Sequence, residues 1–239
     1  MDQFYTNEDV SIKCFEILKK EVNIESYDIQ LEPSAGCGSF YKLMNPQKRI
    51  GLDIQPKYEG IIQQDFLSYT PTNQSYICIG NPPFGRVSSL AIKFFNKCAQ
   101  FSDVIAFIIP RTFNKVSVQN KLNLNFILQY SEDLPLNPCC FTPKMSAKCC
   151  FQIWVRSCVP RQITVYSKTH PHFDFIPYGE KDDNNQPTPP QGAHFAIRAY
   201  GGKCGQIVDQ GLQNLRPKSW HFIKAVSYTH LRAHETHID

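Results

Sequence analysis

Short apolar runs recur from Tyr27 to Trp154 and are separated by polar or amphipathic stretches: YDIQLE, RIGLDI, EGIIQQD, QSYICIG, DVIAFIIP, FILQY and CCFQIWV. Runs that are apolar at nearly every position predict strands buried on both faces, as in a parallel sheet covered by helices. Between Glu8 and Lys20 the periodicity is helical, with Val10, Cys14, Ile17 and Leu18 on one face. Ser88 is placed to cap a second helix running through Leu90, Ile92, Phe94 and Phe95 to about Ala99, and Asn114 is a candidate start for another. The alternation is that of an α/β fold.

After Pro160 the texture changes. The passage from His170 to His194 is rich in Pro, Asn, Asp and Gly and reads as a loop. FAIRAY and CGQIV then flank Gly201-Gly202, a β-hairpin signature in which the paired glycines supply positive φ. Residues from about Val226 to Asp239 lack core periodicity and read as an adapter-derived tail. The expected organisation is therefore a domain over residues 1–158, a small β-rich element over 159–225 and a non-native tail over 226–239.

Composition narrows the class. With 239 residues, 42% hydrophobic and 19% charged, the chain is neither disordered, collagenous nor coiled coil. No apolar run approaches the roughly 20 residues of a membrane span, and the first twenty residues hold no leader-like block. The expectation is a cytoplasmic monomer, or a nuclear or viral-factory one, without membrane contact. The ten cysteines are expected to be reduced thiols. Adjacent pairs such as Cys139-Cys140 and Cys149-Cys150 lack metal-ligand spacing, so no metal is expected. Charge is uneven: 10 Lys/Arg against 12 Asp/Glu over residues 1–110 (−2), 14 against 7 over 111–225 (+7), and 1 against 2 over the last fourteen (−1). The second half is expected to meet a polyanion.

Candidate chemistry lies at the ends of the predicted strands. LEPSAGCGSF joins a strand ending in Glu32 to a glycine-rich turn, Gly36 and Gly38, that is expected to enter a helix and to let the backbone pass close beneath a ligand. Asp53 ends the next strand, where an acid can accept the hydroxyls of a ribose. Asp65 follows the third strand; a carboxylate there can accept from an adenine amine while the adjacent Phe66 ring packs on the base. Asn81-Pro82-Pro83-Phe84-Gly85 is the most specific signal. Two prolines stiffen the turn, the Asn oxygen beside a rigid carbonyl can accept both hydrogens of a planar NH2, and Phe84 offers a platform for a base.

In this order the motifs resemble S-adenosylmethionine-dependent amino-methyltransferases, particularly the gamma-class DNA adenine-N6 enzymes. DQFYT at residues 2–6 is similar to the family's N-terminal cofactor motif, and LEPSAGCGSF, IGLDI, QQDF and NPPFG follow in the family's order. The likeness covers roughly residues 2–158. It departs at Asn7, where the family often has proline, and at Cys37, where a small or hydroxyl residue is common.

The resemblance implies a Rossmann-like methyltransferase fold: a seven-stranded mostly parallel sheet, helices on both faces, CCFQIW as the antiparallel strand, and a small C-terminal β-rich element. It implies S-adenosyl-L-methionine as cofactor, with Thr6 and the turn Glu32, Pro33, Ser34, Gly36 and Gly38 at the methionine part, Asp53 at the ribose with Ile54 counted in the same set, Asp65 and Phe66 at the adenine, and Asn81 near the methyl. Asn81, Pro82, Pro83 and Phe84 would hold the target base, and the product would be N6-methyladenine in DNA.

The charge excess is assigned to residues 160–225 as a target-recognition element. Arg111, Arg198, Lys203, Arg216 and Lys218, with Tyr200, Trp220 and His221, are the candidate nucleic-acid contacts on loops and hairpins, all but Arg111 within that element. Rival readings are an RNA adenine-N6 or guanine-N2 methyltransferase, a DNA cytosine-N4 enzyme, a protein glutamine methylase, and a nucleic-acid-binding module without catalysis.

Overall fold

The apolar runs between Tyr27 and Trp154 become a single sheet. A computed structural model describes residues 4–167 and 169–226, which fall into two units, Met1–Thr164 and Val165–Asp239. In the first, β1 (Tyr5–Thr6) leads into α1 (Glu8–Glu21), followed by β2 (Ile29–Glu32), β3 (Arg49–Asp53), β4 (Ile62–Gln63), β5 (Tyr76–Gly80), α2 (Ser89–Cys98), β6 (Ser102–Pro110), α3 (Val116–Gln119), β7 (Phe126–Asp133), β8 (Phe141–Thr142) and β9 (Cys149–Arg156). The seven-stranded sheet has the order β4-β3-β2-β5-β6-β9-β7. β9 is antiparallel to both neighbours, and the other pairings are parallel. β1 pairs separately with β8.

The central strands β5, β6 and β9 are buried on both faces because their alternate residues point into different clusters. Cys78, Ile105, Phe107, Ile109, Cys150 and Trp154 pack with Ala91, Phe94 and Phe95 of α2 and Val118 of α3. Ile77, Ile79, Ala106, Ile108, Cys149 and Phe151 pack with Cys14, Phe15 and Leu18 of α1. Cys149 and Cys150 therefore face opposite sides, as neighbours on a strand must.

The turn after β2 does not enter a helix. Gly36 (φ 50) and Gly38 (φ 78) are left-handed, only residues 39–45 separate Gly38 from Pro46, and a single 3-10 turn, Tyr41–Leu43, is all that forms. Ser88 does precede α2 but has φ 61 and makes no cap bond; its hydroxyl meets Thr112 Oγ1 at 2.7 Å. Asn114 ends a 3-10 turn rather than opening a helix, and its side-chain oxygen accepts from Gln152 at 2.5 Å.

The second unit is a four-stranded antiparallel sheet of β10 (Phe173–Ile176), β11 (Phe195–Arg198), β12 (Ile207–Val208) and β13 (Trp220–Ala225), in the order β10-β13-β11-β12. β11 and β12 are the expected hairpin, with positive φ at Gly201 and Gly205 rather than at Gly202. Two strands were hidden in apparent loops. FDFI pairs with β13, and Trp220, expected on a loop or hairpin as a nucleic-acid contact, is buried in β13 among Ala196 and Phe222. Of the tail, residues 227–239 lie outside the described residues.

Candidate functional site

Strands β2 and β5 are neighbours, but the chain leaves them toward opposite ends of the sheet, β3 and β4 on one side and β6, β9 and β7 on the other. Loops that part at such a switch point open a crevice at the carboxyl ends of the strands. The glycine turn follows β2 and the Asn-Pro-Pro-Phe corner follows β5, and the two meet there: Ser34 Oγ donates to the Asn81 carbonyl at 3.1 Å.

The turn is stitched to β3. Gly36 donates its N–H to Asp53 Oδ2 at 2.8 Å, Gln55 donates to Asp53 Oδ1 at 2.7 Å, and Lys57 donates to the Gly36 carbonyl at 2.9 Å. A Cβ on Gly36 would stand 2.9 Å from the Tyr5 ring, so β1 lies against the bend. Burial, with Cys37 and Asp53 nearby, raises the Tyr5 phenol above its ordinary pKa. Tyr5 against the bend and Phe4 against Asn81 are neighbours of the candidate site that were not singled out from the sequence, although both stand in the DQFYT motif. Asn7, the departure from the family pattern, anchors this strand: its N–H donates to the Cys140 carbonyl at 3.0 Å and its side-chain amide to that of Cys139 at 2.9 Å. A proline could not make the first bond.

The corner is anchored as well. Pro82 is buried, Phe84 is half-buried against the α1-side core, and its carbonyl accepts from Leu90 and Ala91 at the start of α2. The Asn81 side-chain nitrogen donates to the Phe4 carbonyl at 3.5 Å. Its Oδ1 has no partner. Among the described residues only two buried side-chain polar atoms lack a hydrogen bond, and they are Asn81 Oδ1 and Thr6 Oγ1. Buried polar atoms are almost always paired, so two orphans on two candidate motifs mark groups held ready for something else.

The acids behave less uniformly than the row along the strand ends suggested. Glu32 is 2% exposed, and its Oε2 accepts the Tyr41 N–H at 2.6 Å. Burial holds its carboxyl well above the usual range despite that bond. It closes the turn from inside rather than facing a ligand. Asp53 is half-buried and Ile54 is exposed, both at the carboxyl end of β3. Asp65 is exposed and accepts the Leu67 N–H at 2.9 Å. The ring of Phe66 cannot stack on a base, because it is 1% exposed and packs against Phe94 at 5.1 Å between centroids.

Several candidate phosphate contacts are already engaged. Arg111 pairs with Asp133 at 3.2 Å and reaches the Leu134 carbonyl. Arg198 lies over the Trp220 ring at 5.4 Å, and Lys218 donates to Gln186 at 2.7 Å. Lys203 and Arg216 are exposed. The charge excess is not chiefly theirs: residues 165–226 hold 7 Lys/Arg against 5 Asp/Glu (+2), whereas 111–164 hold 7 against 2 (+5).

No protein-family model and no curated protein matches this chain. Solved structures do. The 23S rRNA methyltransferase ErmE is 15% identical, with a TM-score of 0.48 over 66% of this chain and 71% of that one. A dimethyladenosine transferase from Plasmodium falciparum is 14% identical, with a TM-score of 0.45 over 65% and 64%. Magnesium protoporphyrin IX methyltransferase from Synechocystis, with its cofactor bound, is 12% identical, with a TM-score of 0.40 over 62% and 79%. Likeness at this level does not assign a substrate. The fold is Rossmann-like: its seven strands have the order and the one antiparallel member described above.

Proposed function

We propose that this chain is an S-adenosyl-L-methionine-dependent methyltransferase acting on the exocyclic amine of a nucleobase, adenine N6 first, in nucleic acid. The observation that carries the reading is the unpaired, buried Asn81 Oδ1 on a corner tied through Ser34 to the glycine turn.

The residues fit the cofactor. Thr6 presents an orphaned hydroxyl, the Ser34–Gly38 turn follows β2, and Asp53 and Ile54 stand at the carboxyl end of β3. When bound, S-adenosyl-L-methionine supplies a methyl group on a positively charged sulfur. The chain's own work is to hold and orient. Asn81 Oδ1 accepts from the substrate amine, and because this oxygen is already out of water, the bond is not opposed by further desolvation of the acceptor. Accepting both amine hydrogens, with the Pro82 carbonyl as second acceptor, turns the nitrogen lone pair out of conjugation with the ring. Phe84 packs on the base, which leaves its stack to reach the corner. Alignment carries most of the acceleration.

The DNA reading comes from the motif order, and the proteins ErmE and dimethyladenosine transferase make RNA the necessary second arm of any test. The protein is incubated with methyl-labelled cofactor and duplex DNA, single-stranded DNA, RNA or a mixed protein substrate, and the nucleic acid is digested to nucleosides. N6-methyladenosine or its deoxy form is expected, with Asn81→Ala losing roughly 10²–10³-fold in rate while cofactor affinity changes little. Label appearing only in protein, or an Asn81→Ala variant with the parental rate, refutes the assignment.

A further inference from the structure

Three connections at the carboxyl edge of the sheet carry cations and no acids. Residues 81–88 after β5 contain Arg86, residues 111–116 after β6 contain Arg111 and Lys115, and residues 134–148 between β7 and β9 contain Lys144 and Lys148; none of the three contains Asp or Glu. The topology puts them together. β5 and β6 are adjacent, β9 begins where β6 ends, with Pro110 opposite Cys149, and Arg111 donates its N–H to the Lys148 carbonyl at 2.9 Å. Arg111 is neutralised by Asp133. Arg86, Lys115, Lys144 and Lys148 are exposed, and no ion pair among the described residues involves them. On the other side of the switch point the rim is mixed: Asp53, Glu59 and Asp65 stand with Lys42 and Lys57.

The geometry points to a phosphate-gripping rim formed by Arg86, Lys115, Lys144 and Lys148 on the first unit itself, which holds the sugar-phosphate backbone of the substrate beside the Asn81 corner. This rests on the nucleic-acid reading above and relocates its electrostatic footprint from the β-rich second unit to the loops flanking the corner. Four cations in no ion pair among the described residues, on connections that themselves carry no acid, are what a polyanion neutralises with release of its counterions. The opposite, mixed rim is left for the cofactor, so the polarity of the edge also orients the substrate across the crevice.

The test compares two charge-matched triple variants of the full chain. One is Lys115→Gln, Lys144→Gln, Lys148→Gln. The other is Lys20→Gln, Lys93→Gln, Lys121→Gln, three exposed lysines away from this edge. Binding to fluorescein-labelled duplex DNA, single-stranded DNA and RNA is measured across a salt series, and cofactor affinity by calorimetry. The rim triple is expected to flatten the slope of log K against log salt by about 2–3, at ~0.9 per duplex phosphate and ~0.7 per single-strand phosphate. The control triple should leave the slope unchanged, and both should keep the parental melting temperature and cofactor affinity. Equal effects from the two triples, or none from the rim triple, overturn the inference even if the parent methylates nucleic acid. A parent that binds cofactor but no nucleic acid in any arm overturns it too, and a parent without cofactor binding or transfer fails the functional reading instead. Should the rim triple melt early, the three single variants are used, each expected to lower the slope by about one.

Discussion

Ser34 and Asn81 are 47 residues apart and joined by one hydrogen bond, from the serine hydroxyl to the asparagine carbonyl at 3.1 Å. The bond spans the switch point and is the contact by which the glycine turn fixes the height of the corner. Ser34→Ala should cost about 1 kcal/mol of stability, the ordinary worth of such a bond. It should cost more in chemistry, roughly 10–100-fold in single-turnover rate, because small misplacements of reacting groups are expensive. Retention of the full rate in the variant would show that something else positions Asn81.

Thr6 offers a sharper signature. Its hydroxyl is buried and unpaired, so Thr6→Val removes a group that the unliganded fold does not use. Thermal unfolding without cofactor should be unchanged or shifted upward by up to ~1 kcal/mol. Cofactor affinity should fall about tenfold, or ~1.4 kcal/mol. A structural role would give the opposite pattern, with stability lost and affinity kept.

Glu32 makes stability depend on pH. Its folded-state pKa lies above the unfolded value because of burial, so the folded chain binds the extra proton. The associated stability is complete below the unfolded carboxylate pKa and is lost as pH rises through the folded one. Glu32→Gln keeps an acceptor for the Tyr41 N–H and has no proton to lose. Denaturant titrations should show the parent losing stability relative to the variant from the carboxylate range upward, with the variant ahead by roughly 1–3 kcal/mol at the alkaline end. Parallel curves would show that Glu32 stays ionised.

The sheet was legible because β5, β6 and β9 are apolar at nearly every position, and only strands covered on both faces tolerate that. The corner was legible because Asn-Pro-Pro-Phe restricts its own backbone. What could not be read was which side chains local structure would claim first. Phe66 and Asp65 are adjacent, yet the ring goes into the α2-side core while the carboxylate caps the following turn. FDFI and Trp220–Ala225 were lost among prolines and charges, because FDFI becomes a strand by pairing with Trp220–Ala225 across about 45 residues of sequence, and the latter also by pairing with Phe195–Arg198, contacts no local pattern announces. The cationic rim was missed for a related reason: Arg86, Lys115 and Lys148 come together through the order of β5, β6 and β9.

Strain next to the corner gives the last test. Val87 (φ 53, ψ 39) and Ser88 (φ 61, ψ 16) are both left-handed, and Val87 is 81% exposed, so no packing rewards its conformation. A left-handed non-glycine residue costs about 1–2 kcal/mol, and glycine in its place gives back roughly 0.5–1 through the flexibility of the unfolded chain. Val87→Gly should therefore stabilise by about 0.5–1 kcal/mol. Val87→Pro, whose ring holds φ near −65°, should destabilise, since the turn into Ser88 and its bond to Thr112 at 2.7 Å could no longer form. If the strain holds the corner in place, the glycine variant will melt later and transfer methyl more slowly. Faster melting of Val87→Gly, or equal stability of the glycine and proline variants, would mean that this segment is not left-handed in solution.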